Sequence, residues 1–379
     1  MGAQPSLAVF LGGVGGSPVE EWMRGVLEAA ALDLAESALA SSVFGRVVLA
    51  ADRAPAGDMP AGVEVRVDGA GATGRAFRFG EAFVALAGEM PSDGVAYIGA
   101  GSGPLLGVGE FEAIAAPLRA PGAANVIVTN NRFSSDLFAL ADLQRVADLD
   151  PAALTDNAIP RRLRDEHGME VLELPRTLAT QFNLDTPSDA IALALSGRGG
   201  PRLTAALAGV PATERMQRAA RLFIERTAEV LVAGRVSSRT WQYLETETAC
   251  RIRLLSEERG MQAAGTDAAG TARSILGQLI AEAGPARAFG VLLPELCAAA
   301  FIDIRPALVQ LGIRASKADR FAADLGRVDE IEDAGLRAIV AAAAASPVPV
   351  ILGGHSLVGG ALELLNQWAW DEHDAKAGG

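Results

Sequence analysis

Short, unbroken apolar runs alternate with amphipathic segments through the first half of the chain. Residues 7–11 (Leu-Ala-Val-Phe-Leu) suit a strand buried on both faces, and the glycines Gly12, Gly13, Gly15 and Gly16 break that run. A long helix is expected over residues 19–40. Ser17 would cap it, Pro18 sits at its first turn, and Glu20 and Glu21 lie near the positive end of its dipole. Residues 46–51, 63–67, 95–98, 125–129 and 170–174 read as further strands. Helices are expected over residues 75–87, 110–118, 157–166 and 185–195, with a small-residue loop at Gly69–Gly74. This alternation predicts an α/β, Rossmann-like domain: a mainly parallel sheet covered by helices on both faces. Such sheets bind ligands outside the C-terminal ends of their strands, so the glycine-rich turn 99–103 marks a centre of that domain.

Residues 196–202 (Ser-Gly-Arg-Gly-Gly-Pro-Arg) read as a linker, which sets domains at 1–196 and 203–379. The second domain is expected to be smaller, α/β and rich in helix. Helices are expected over 203–208 and 212–227, and strands over 229–233, 298–303 and 348–352. More helical segments fill the interval after residue 239, a last helix runs to Trp370, and the tail 371–379 is expected to fray. If the three strands are parallel, their ends bring together Arg235, Ser237, Ser238 and Arg239, then Asp303 and Arg305, then His355 and Ser356. Arginines, hydroxyls and backbone amides there suit a phosphate or carboxylate, and His355 suits general acid–base work. Asp303 paired with Arg305 or Arg239 would instead make a structural network.

Composition narrows the partners. The 379 residues fit two domains, and a core with only 5% aromatic residues must be mostly aliphatic. Lysine occurs only at 317 and 376, so nearly all positive charge is arginine. A net charge of −13 argues against a general nucleic-acid or anionic-membrane surface, while leaving room for a local arginine site. Cys250 and Cys297 lack metal-site spacing and make no disulfide framework, which fits a reduced, cytoplasmic setting. No signal peptide is expected at the N-terminus, and no apolar stretch reaches the ~20 residues of a bilayer span.

Several pieces of the first half occur in an ordered series. A strand runs into Leu11-Gly-Gly-Val-Gly-Gly16, and a second ends in Ala51-Asp52-Arg53. An acidic, glycine-rich turn at 68–80 precedes a helix, and a strand leads into Pro104-Leu105-Leu106. Phe182-Asn-Leu-Asp-Thr-Pro-Ser-Asp189 closes the series. In this order residues 7–195 resemble nucleotidyltransferases of the glycosyltransferase A-type fold, notably phospholactate and molybdenum cofactor guanylyltransferases. Two positions depart from that pattern. Ser102 stands where the family holds a metal with aspartate, and the nearest basic residue to the glycine loop is Arg24, on the helix.

The resemblance implies a nucleoside triphosphate over Gly12, Gly13, Gly15 and Gly16, with Arg24 nearby and the ribose or base near Asp52. It implies magnesium, for which Asp136, Asp185 and Asp189 are the candidate oxygen ligands. Asp185 or Ser188 can equally well cap the helix that follows. The reaction implied is in-line attack on the α-phosphorus by a small acceptor bearing a phosphate or carboxylate, with pyrophosphate released. Two other readings stand beside it. One is a non-catalytic binder of nucleotides or sugar nucleotides, and the other an enzyme whose chemistry lies around His355.

Overall fold

The computed structural model describes residues 4–68, 77–90, 94–151, 154–210 and 213–378. The loop expected at Gly69–Gly74 lies outside them. The chain divides into two compact units. The first holds residues 1–14, 24–183 and 199–206, and the second holds 15–23, 184–198 and 207–379. Residues 184–198 thus pack in the second unit, although they precede the linker that the sequence suggests.

The first unit carries a seven-stranded sheet. Its strands are β1 (Ser6–Leu11), β2 (Arg46–Ala51), β3 (Glu64–Val67), β4 (Val95–Gly99), β5 (Val126–Thr129), β6 (Leu137–Leu140) and β7 (Glu170–Glu173). The order is β3-β2-β1-β4-β6-β5-β7. All neighbours are parallel except at β6, which runs antiparallel to both β4 and β5. β1 lies inside the sheet, and its residues are buried whichever way they point, as the apolar run requires. Ala8 and Phe10 join Phe83, Tyr97, Ile127 and Phe138 in one core. Phe10, Tyr97 and Phe138 pack there as an aromatic cluster, with Tyr97 and Phe138 centroids 4.9 Å apart. Helix α1 (Pro18–Ala40) follows β1, and α2 (Phe79–Gly88) buries Phe83 and Leu86 in that same core.

β6 is not among the strands expected from sequence. Its four residues, Leu-Phe-Ala-Leu, are wholly buried and too few to show a period. Reversing direction there places Asp136, just before β6, beside the end of β4: the Gly99 N–H donates to the Asp136 carbonyl at 3.3 Å.

The second unit has a four-stranded, wholly parallel sheet in the order β11-β10-β8-β9. The strands are β8 (Glu229–Gly234), β9 (Arg251–Ser256), β10 (Ala299–Asp303) and β11 (Val350–Gly353). The three expected strands are therefore parallel neighbours. β9 falls where further helix was expected. It is an edge strand whose Arg251 and Arg253 are exposed, and charged edges discourage pairing with other chains. The helices that matter to the site are α3 (Pro187–Ser196), α4 (Ser238–Glu247), α5 (Arg305–Gln310), α6 (Lys317–Asp324) and α7 (Gly360–Ala377). α7 continues to Ala377, so most of the tail expected to fray is helix. Leu231, Ala233, Ala300, Ile302 and Leu352 supply the sheet's share of the core. Among the described residues no helix is long and apolar enough to cross a membrane. Cys250 and Cys297 are buried free thiols.

One glycine fixes the spacing of the second sheet's edge. Gly234 ends β8 with φ +127°, and a Cβ there would meet Asp303 Cβ at 2.4 Å. Gly234→Ala is expected to cost about 3 kcal/mol in chemical unfolding, through left-handed strain and overpacking together. A loss below about 0.5 kcal/mol would show that the two strand ends are not held this closely.

Candidate functional site

In the first unit β1 has β2 on one side and β4 on the other, so the winding direction switches between β1 and β4. In an open α/β sheet the crevice for a ligand opens at such a switch point, outside the carboxyl ends of the strands. The loops that border it here start at Gly12 and at Ala100. They are joined at their base, where the Ala100 N–H donates to the Phe10 carbonyl at 2.8 Å.

Asp52, just past the end of β2, organises the first of these loops. One carboxylate oxygen accepts the Gly13 N–H at 3.0 Å, and the other pairs with Arg24 Nη1 at 2.6 Å. Arg24 is 3% exposed. A Cβ at Gly12 would sit 3.2 Å from the Asp52 carboxyl group and press on this brace. Gly13 has φ +74° and open space where its Cβ would be. The structure thus brings Gly12, Gly13, Arg24 and Asp52 together, but Arg24 and Asp52 hold one another. The Gly13 N–H already has an anionic partner, so a phosphate would compete with Asp52 for it. Gly15 and Gly16 belong to the other unit. There the Gly16 N–H donates to Glu21 at 3.3 Å, while Ser17 Oγ accepts the Glu20 N–H, as expected of the cap, and donates to the Glu20 carboxylate.

A second polar group gathers at the ends of β4 and β5 and the start of β6. Asp136 takes Asn130 Nδ2 on one oxygen and Asn157 Nδ2 on the other, both at 3.4 Å. The Tyr97 hydroxyl, inside the aromatic cluster, donates to Asp156 at 2.9 Å. Desolvation first, and then the Asp156 charge, raise the Tyr97 pKa well above the usual phenol range, with Asp136 adding to the shift. Two carboxylates therefore act on one buried phenol beside Gly99, where Ser102 Oγ would lie 3.1 Å from an added Cβ. Sequence reading singled out Asp136 but missed Asp156. Asp156-Asn157 looks like an ordinary turn, and only the burial of Tyr97 gives it a partner.

Among the described residues no three His, Cys, Asp or Glu side chains are grouped to hold a metal ion. The carboxylates that this edge has to offer a magnesium ion are Asp136, which accepts from Asn130 and Asn157, and Asp156, which accepts the Tyr97 hydroxyl and the Asn157 N–H. Asp185 and Asp189 do not fit. Asp189 is fully buried and its Oδ2 accepts from Thr186 N, Thr186 Oγ1 and Asp185 N, closing the N-terminus of α3, whereas Asp185 is exposed. Desolvation, then Asp185 and Asp324, raise the Asp189 pKa well above the carboxylate range, against the opposing hydrogen bonds from Thr186.

The second unit's strand ends separate into braces and open groups. Asp303, 1% exposed at the end of β10, accepts Arg235 Nε at 2.6 Å and Nη2 at 3.2 Å. It also accepts the backbone N–H of Arg235 and of Arg305. Arg239 pairs with Glu363 of α7 at 2.9 Å. The Ser237 hydroxyl caps α4 by accepting the Thr240 N–H, and Ser238 is that helix's first residue. Ser356 is buried at 3% exposure, in the turn that leads to α7. The expected crevice of four cationic or ionisable groups thus loses Arg235 and Arg239 to carboxylates. His355 is exposed in the turn after β11, with neighbouring protein that desolvates the ring. That desolvation, and then Arg235, lower its pKa, so the imidazole is neutral at pH 7.

Arg305 differs from its neighbours. Its Nε and Nη2 are buried and have no hydrogen-bond partner among the described residues. Asp324, 8% exposed at the end of α6, has none on either oxygen. The Thr186 hydroxyl is close enough to lower the Asp324 pKa, but its well-formed hydrogen bonds go to Ser188 at 2.9 Å and Asp189 at 3.0 Å. Desolvation raises the Asp324 pKa to about 7 against the opposing pull of Arg305.

The first unit is, by its sheet order and crevice, a doubly wound, mainly parallel α/β fold of the expected class. Solved structures similar to the chain are nucleotidyl- and cytidylyltransferases. A nucleotidyl transferase from Methanothermobacter thermautotroptrophicus (Mth528) shares 16% identity at TM-score 0.37, over 51% of this chain and 96% of that one. A cytidylyltransferase from Leptospira borgpetersenii shares 13% at TM-score 0.36, over 54% and 92%. A CMP:2-keto-3-deoxy-manno-octonic acid synthetase complexed with CTP shares 10% at TM-score 0.28, over 45% and 89%. No protein-family model matches the chain, and no curated protein does.

Two outcomes check these assignments. Asp52→Asn keeps an acceptor for Gly13 but strands the Arg24 charge. It is expected to cost about 2–3 kcal/mol in urea unfolding, less than the ~3–5 kcal/mol of a fully buried pair because Asp52 keeps solvent contact. An unchanged stability would mean that the pair does not hold the loop. The second outcome concerns Asp324, whose folded pKa of about 7 lies above its ordinary 3.8. Whatever stability this site contributes is complete below the ordinary pKa and is lost as pH rises through the folded one. Asp324→Asn is therefore expected to gain on the natural protein between pH 4 and 7, by at most about 1.4 kcal/mol per unit, and to hold a constant lead above. A stability difference that stays flat from pH 4 to 8 would contradict the shift.

Proposed function

We propose that the first unit binds a nucleoside triphosphate in the crevice between β1 and β4 and transfers its nucleotidyl group to a small acceptor bearing a phosphate or carboxylate. The observation that carries this reading is the switch point itself. Two glycine-rich loops, starting at Gly12 and Ala100, leave the adjacent strands there, and the Asp136–Asp156 pair marks the same carboxyl edge of the sheet. The open space at Gly13 leaves the backbone approachable. Magnesium would be held by Asp136 and Asp156 with the nucleotide's own phosphates, and would offset charge on the transferred group. This division of ligands accounts for a chain that has Ser102 where the related enzymes use aspartate. The protein residues hold and orient, and the field of the crevice supplies the stabilisation.

A second reading is favoured by one observation. The Gly13 N–H already has the Asp52 carboxylate as its partner, so it is not offered to a phosphate under transfer, and a nucleotide held by other groups of the crevice would leave this loop as it stands. Thermal unfolding with a panel of nucleoside triphosphates and sugar nucleotides, each with and without magnesium, tests both. A true ligand at 100 times its Kd adds about 2.7 kcal/mol of stability. Catalysis predicts a shift with one triphosphate that grows with magnesium, is lost in Gly13→Val, and is accompanied by pyrophosphate release on adding the acceptor. Asp136→Asn is expected to abolish the magnesium increment and leave the metal-free shift. A shift with no pyrophosphate from any small anionic acceptor selects the binding reading. No shift with any nucleotide removes both.

A further inference from the structure

Bidentate arginine–carboxylate pairs recur in this protein, and they use the same two donors. Arg46 grips Glu64, Arg221 grips Glu372 and Arg235 grips Asp303, each through Nε and Nη2. This side of the guanidinium plane presents two parallel N–H groups that match the two oxygens of a carboxylate. In Arg305 these same two nitrogens are buried and unpartnered among the described residues. Facing the same region is Asp324, more than nine-tenths buried with both oxygens unpartnered. The two are close enough for the Arg305 charge to dominate the charges acting on Asp324, yet they form no ion pair within 4 Å. Two further orphans belong to the same region: Asp189 Oδ1 at the adjoining helix start, and Arg320 Nε on α6, whose charge acts on Asp324 together with that of Arg305.

Leaving such groups unpaired costs roughly 1–3 kcal/mol each and more when they are charged, so a set of them in one place needs a cause. The surrounding backbone is also kept small. A Cβ on Gly354 would come within 3.0 Å of Thr186 Cγ2 and 3.7 Å of Arg305 Nη2.

We propose that this edge of the second sheet is a binding site for a small monocarboxylate that carries a hydrogen-bond donor beside its carboxyl group. The carboxylate takes Nε and Nη2 of Arg305, and the ligand's hydroxyl or ammonium donates to Asp324. The donor set argues against a phosphate dianion. The free fork of Arg305 matches one carboxylate; Arg320, the other arginine acting on Asp324, spends Nη1 on the Ala315 carbonyl at 2.7 Å, and two buried carboxyl groups, Asp324 and Asp189, would stand beside the second charge of a phosphate. The site is built within the second unit and is independent of the nucleotide reading.

The test follows the Arg305 Nε–H resonance in full-length protein labelled with 15N-arginine and assigned with Arg305→Lys. Acetate, L-lactate, glycine and inorganic phosphate are titrated separately. L-lactate or glycine is expected to shift this resonance at concentrations at least tenfold below those that acetate needs, with phosphate weaker than either. Asp324→Ala is expected to erase the preference over acetate, and Asp324→Asn offers the same comparison if the alanine variant does not fold. Arg305→Lys should weaken binding of the preferred acid at least tenfold, read by calorimetry. Failure of all four probes to move the resonance would overturn the proposal. So would tighter binding of phosphate, or a preference that survives in the Asp324 variant.

Discussion

Strands buried on both faces leave no room for polar chemistry along their length. In β1, β8 and β10 nearly every residue is buried, and the side chains are almost all aliphatic or Phe. Polar groups are therefore pushed to the strand ends, and parallel pairing puts those ends on one edge. Each unit then faces the same problem: loops leaving neighbouring strands have to be held at a fixed distance. Both solve it in the same way. A carboxylate at or just past the end of one strand accepts a backbone N–H from the loop after another strand and pairs with an arginine. Asp52 does this with Gly13 and Arg24, and Asp303 with Arg235. Glycines stand where the carboxylate side comes close, at Gly12 and Gly234.

This bracing explains which residues are left for a ligand. Several arginines that look from sequence like anion receptors are used up by carboxylates within the chain. Arg24, Arg235 and Arg239 are paired in this way. Two groups without an arginine brace stand apart from these: Asp136 and Asp156 at the first edge, held by Asn130, Asn157 and Tyr97, and Arg305 with Asp324 at the second. The first pair is set by β6, whose reversed direction brings Asp136 to the carboxyl edge. The second is set by Asp303, which occupies Arg235 and takes only the backbone of Arg305.

Much of the architecture could be read from the chain. β1, β2, β4, β8 and β10 are apolar runs ended by glycine or a charged residue, and they sit within a residue or so of their expected bounds. The two missed strands fail for opposite reasons. β6 is too short and too uniformly apolar to show a period, and β9 reads as polar because it lies at an edge. The site was less legible, since sequence spacing cannot tell an arginine that waits for a ligand from one that already has a carboxylate. Asp185 and Asp189 show this limit. Their i,i+4 spacing suggested a shared face, yet Asp189 turns back to close its own helix. Asp156 and Asp324 gave no signal, because each matters only through a partner distant in sequence, Tyr97 for one and Arg305 for the other.

The account's central claim is that the nucleotide site lies at the β1/β4 edge of the first unit. Hydrogen–deuterium exchange of the intact chain, with and without a magnesium nucleoside triphosphate that raises its melting temperature, tests this most directly. The claim predicts slowed exchange at Gly12–Val14 and at residues 100–103, with no change in the turns after β8, β10 and β11. Protection confined to those three turns, with the loops after β1 and β4 unchanged, would contradict it.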